Sequence, residues 1–131
     1  MDNKALVEYK IHSAIRLGEE LEKSGRNLNF LVWYYYSDVE EWQLLMSATW
    51  IDDLLPKRES VAYGKLADLL NNQQIDGIEI SELKVINSDS DLVKAIKMII
   101  KTGNIGFTQA HFSNNTINGI FMKDFIVMRS I

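Results

Sequence analysis

Residues 29–37 read Asn-Phe-Leu-Val-Trp-Tyr-Tyr-Tyr-Ser. Aromatic and β-branched side chains suit a pleated surface, so this segment is expected to be a strand. Successive residues of a strand point to opposite faces. Phe30, Val32, Tyr34 and Tyr36 therefore share one face, and Leu31, Trp33 and Tyr35 share the other. A sheet with one wet face alternates apolar with polar residues. This strand does not, so both of its faces must be covered. Either helices of this chain lie on both sides, or they lie on one side and a partner covers the other. Tyrosine and tryptophan are enriched at interfaces, because each has an apolar body and a polar tip. Trp33, Tyr35 and Trp42 are therefore expected near a contact with a protein partner or with a second copy.

The other elements follow from periodicity. Residues 3–24 predict a helix, with Val7, Ile11, Ala14, Ile15, Gly18 and Leu21 on one stripe and Gly25 at its end. Residues 42–50 alternate with period two: Trp42, Leu44, Met46, Ala48 and Trp50 point one way. The short link 38–41 makes this strand and the aromatic one a hairpin. Residues 57–72 predict a second helix, buried through Val61, Ala62, Leu66, Leu69 and Leu70. Residues 78–87 hold a third strand. Ser88 to Asp91 supply capping chemistry for a third helix with Leu92, Val93, Ile96, Ile99 and Ile100 inward, ended by Gly103. Residues 104–112 and 117–129 are expected to form a second hairpin about Ser113-Asn114-Asn115-Thr116, since asparagine tolerates left-handed turn positions. The order α-β-β-α-β-α-β-β predicts one α+β domain over 1–131, with a mixed five-stranded sheet and three helices.

Composition excludes whole classes of chemistry. The chain has 131 residues and no cysteine, which removes disulfides, thiol nucleophiles and thiolate metal sites. Neither a signal peptide nor a bilayer-spanning run is expected, which points to the cytoplasm. The net charge of −4 is uneven. Residues 1–91 carry 17 acidic and 9 basic side chains, whereas residues 92–131 carry 1 and 5. Such asymmetry can mark a charged partner.

Few residues suggest catalysis. His12 and His111 are far apart in sequence, and neither has a carboxylate at metal-ligand spacing. His111 is the better general-base candidate, because Ser113 and Asn114 stand beside it. Glu82-Leu83-Lys84, together with Asp52-Asp53 at the end of the second strand, resembles the arrangement by which nucleases of the restriction-endonuclease type hold Mg²⁺. The likeness covers four residues, and a whole helix separates the acidic pair from the strand. Acid-x-Lys also occurs at Asp2-Asn3-Lys4 and Glu8-Tyr9-Lys10. Gly103-Asn104-Ile105-Gly106 follows a helix instead of opening one, so it cannot cradle phosphate. No cofactor is expected. Lys94, Lys97 and Lys101 recur at i, i+3 and i+7 on the third helix. They form either a solvated face or an anion-binding ridge for nucleic acid. The leading expectation is a non-enzymatic protein-interaction module able to pair with itself. A metal-dependent enzyme using Asp52, Glu82, Lys84 and His111, or a nucleic-acid binder, is the alternative.

Overall fold

The computed structural model describes residues 8–131; the part of the first helix expected over 3–7 lies outside them. The elements are α1 (Glu8–Lys23), β1 (Phe30–Tyr36), β2 (Glu41–Ser47), α2 (Thr49–Asp52), α3 (Glu59–Asn72), β3 (Leu83–Val85), α4 (Asp91–Ile99), β4 (Ala110–Ile117) and β5 (Ile120–Ser130). A 3₁₀ turn at Ile80–Glu82 precedes β3. The sheet order is β3-β2-β1-β5-β4. β2 and β3 are parallel, and all other neighbours are antiparallel. The α+β class, the element order and the mixed five-stranded sheet match the sequence expectation.

Four details differ from that expectation. β2 stops at Ser47, and residues 49–52 form a fourth helix, α2. Its Ile51 is buried, so one helical turn carries the chain into the core where alternation had suggested more strand. Val61 is exposed on α3, which buries Ala62, Leu66 and Leu70 instead. Helix α4 ends at Ile99, before Gly103. The second hairpin turns at Asn118-Gly119, both with positive φ (53° and 78°), between the paired Ile117 and Ile120. This is the two-residue Asn-Gly loop whose twist matches that of the strands. The residues expected to turn, Ser113 to Thr116, lie inside β4.

β1 is the middle strand, and both of its faces are buried within this chain. Leu31 and Trp33 enter a core formed with Ile11, Ala14, Leu17 and Leu21 of α1 and with Ala62 and Leu66 of α3. Trp33 is fully enclosed, and its Nε1 donates to the Lys10 carbonyl at 3.1 Å. Phe30, Val32 and Tyr34 enter a second core with Val93, Ala95 and Ile96 of α4 and with Met122, Phe125 and Val127 of β5. The aromatic strand is thus a two-sided core element, and Trp33 offers no surface to a partner.

A bulge locks β5 to α1. Leu31 pairs with Arg129 but Val32 pairs with Val127, so Met128 is an extra residue. An extra residue breaks the alternation locally. Met128 packs in the α1 core, and Arg129 also reaches to that side. The Arg129 guanidinium pairs with Glu22 of α1 and donates to the carbonyls of Gly106 (2.6 Å) and Leu28 (3.3 Å). It also stacks on Phe107, 4.0 Å from the ring centroid. The Cζ–Cε1 edge of that ring faces Gly18. A Cβ there would stand 2.6 Å from Phe107 Cζ, so only glycine admits the ring without a shift.

Tyr34 gives the second core a pH signature. Burial, with smaller contributions from Tyr36 and Asp38, pushes its hydroxyl up from 10.0 to about 12. The folded protein therefore holds this proton over a pH range in which the unfolded chain has released it. Its contribution is whole below pH 10 and is lost as pH rises from 10 to 12. Urea unfolding between pH 9 and 12 is expected to show stability falling in that window by up to about 3 kcal/mol. Tyr34→Phe should flatten the fall; a variant with the same slope as the wild type would remove Tyr34 as its cause.

Candidate functional site

The strand register builds a row of side chains across four strands. Trp42 is opposite Tyr35, Tyr35 opposite Asp124, and Asp124 opposite Ser113. Directly opposed residues share a face, and this face is the one that carries α1. The next row inward is Leu44, Trp33, Ile126 and His111. Trp33 and Leu44 are sealed, whereas Tyr35 and Trp42 are half-buried, with ring centroids 5.4 Å apart. The turn beyond them, Ser37 to Glu40, is exposed throughout. It carries Asp38 and Glu40, with Glu41 at the start of β2, and Val39 is 62% exposed.

Asp124 anchors the other end of the row. Its carboxylate is nearly buried, accepts from Ser113 Oγ at 3.3 Å, and is bonded to His111 Nε2. The His111 side chain is half exposed. A carboxylate fixes the imidazole here, as it does for many general bases. Ser113 bonds to the acid and not to the imidazole, however, so the trio lacks the nucleophile-to-base bond of a hydrolase triad. Its arrangement suits holding a rigid polar patch.

The nuclease-like residues are each engaged elsewhere. Asp52 closes α2, not β2, and its Oδ1 accepts from the Ser88 N–H at 2.9 Å. Glu82 pairs with Lys10 at 2.7 Å and caps the 3₁₀ turn through the Glu79 N–H. Lys84 donates to the Tyr36 hydroxyl at 3.2 Å and lies over its ring. Leu83 and Val85 are buried in the α1 core, so Lys84, between them on β3, projects from the opposite face. No group of three metal-ligating side chains gathers among the described residues.

The lysines do gather. Lys94, Lys97 and Lys101 line one open groove of about 530 Å³ with Met98, Ile99 and Ile100. Met98 is 66% exposed. None of the three lysines forms an ion pair among the described residues. The groove exists because α4 turns Val93, Ala95 and Ile96 into the core, which leaves Lys94, Lys97 and Met98 outward.

Sequence reasoning missed Asp124 altogether, although the Asn-Gly turn at 118–119 would have set the register that brings it to Ser113 and His111. No helix among the described residues is long and apolar enough to cross a membrane. No protein family, curated protein or solved structure matches this chain.

Proposed function

We propose that this chain is a non-enzymatic protein-interaction module that receives a cationic segment of its partner on the first hairpin. The observation that carries the reading is the half-buried Tyr35–Trp42 ring pair on the two strands that lead into the acidic turn 38–41. Aromatic faces and carboxylates together favour lysine and arginine: the ring attracts the cation, and the acid pairs with it. Large, stiff aromatic side chains are also the residues that most often dominate binding energy. A nucleic-acid reading would use the lysine groove, whose lining holds no aromatic ring and no arginine. Base stacking and bidentate phosphate contacts thus have nothing to act through there.

Calorimetric titration of the protein with a lysine- and arginine-rich decapeptide, at low salt, tests the reading. Saturable binding is expected, weakened about tenfold by Tyr35→Ala, a loss of about 1.4 kcal/mol. A glutamate-rich peptide of the same length should not bind. Absence of saturable binding, or equal binding by Tyr35→Ala, would overturn the proposal.

A further inference from the structure

We infer that the cationic segment is supplied by a second copy of this chain, through its Lys94–Lys97–Lys101 groove. This rests on the reading above and names its partner. The two surfaces are complementary in charge, and each carries apolar side chains among its charges. The first hairpin presents Asp38, Glu40 and Glu41 around the exposed Val39, a protruding acidic tip with one apolar residue at its centre. The open groove on and just beyond α4 presents three lysines with Met98, Ile99 and Ile100 between them, a basic surface that carries apolar residues. None of these charged side chains has an ion-pair partner among the described residues. Val39 can pack against the exposed Met98, since methionine adapts to varied apolar shapes. The carboxylates match the lysine rim. The uneven charge along the chain, acidic over residues 1–91 and basic over 92–131, is thereby put to use between copies.

The contact is heterologous, since tip meets groove and not tip meets tip. Such contacts propagate into rings or open chains. It draws on exposed charges, so it weakens with ionic strength once the Debye length falls to a few ångströms.

Sedimentation velocity on the full chain tests this. At about 100 μM and low salt, a concentration of the order at which weak contacts form, the weight-average mass should exceed that of the monomer. It should return to the monomer near 1 M salt. Two charge-reversed proteins, Asp38→Lys with Glu41→Lys and Lys94→Glu with Lys97→Glu, should each be monomeric. Their equimolar mixture should associate again, because each then meets the opposite charge on the other. Asp38, Glu41 and Lys94 are exposed and Lys97 is half-buried, and circular dichroism of each variant checks that the fold is retained. A monomeric wild type would overturn the inference, as would a mixture that stays monomeric. If the decapeptide still binds while the wild type is monomeric, the hairpin remains a docking site and only the self-contact fails.

Discussion

Trp33→Ala is expected to lower the unfolding free energy by about 4 kcal/mol, the largest effect of any single substitution considered. The indole is fully enclosed on the central strand, with Leu44 and Ile126 as its cross-strand neighbours. Lys10 lies over its face with Nζ 5.7 Å from the centroid, and the Lys10 carbonyl takes its N–H. Truncation leaves a void at the centre of the sheet that helices on rigid strands cannot close. Trp33→Phe keeps much of the volume but leaves the carbonyl without that donor, so its cost should be nearer 1–2 kcal/mol. Urea titrations give both values; the midpoint should move while the slope m stays constant. A loss below about 1 kcal/mol for the alanine variant would contradict the packing described.

Arg129→Met comes second, at about 3 kcal/mol. Its guanidinium joins three segments: Glu22 on α1, Leu28 before β1, and Gly106 in the link to β4. Methionine fills the space but donates nothing. Glu22 can then turn to water, but two carbonyls lose a donor and Phe107 loses the cation stacked on it. Arg129→Lys should recover only part of the loss, because an ammonium lacks the planar fork that serves separated acceptors. Amide hydrogen exchange distinguishes this change from a general loosening. Protection should fall most across residues 100–109, whose docking depends on Arg129 and on the ring between it and Gly18. Uniform loss of protection over the whole sheet would refute the local role.

The two-sided core was legible because seven consecutive apolar and aromatic residues leave no wet face on β1. What covered the second face was not legible. The helical spacing of Val93 and Ile96 on α4, with Ala95 beside them, gives a stripe but not the face on which it docks. The error at residues 48–50 has a plain cause. Ala48 and Trp50 extend the alternation of β2, and a single helical turn is too short to show its own period. At the second hairpin, asparagine did mark left-handed backbone. Asn114 has φ +55°, yet it lies inside β4, and the turn belongs to Asn118-Gly119. That displacement hid the candidate site. Ser113 and Asp124 are 11 residues apart and face each other only when the turn is placed correctly. The dispersal of Asp52, Glu82 and Lys84 was beyond the sequence too, since short motifs carry no information about which strand face or helix end receives them.

The position of β5 has a consequence for how the chain is made. It follows the other described strands in sequence, yet it lies between β1 and β4, pairing Phe30 with Ser130. During synthesis, then, the most aromatic strand has one open edge until β5 has left the ribosome. Pairings between such distant residues form slowly, and exposed strand edges invite intermolecular contact. The nascent chain meets its greatest risk of misassociation in the interval before β5 emerges, and a chaperone holding β1 apart would act in that interval.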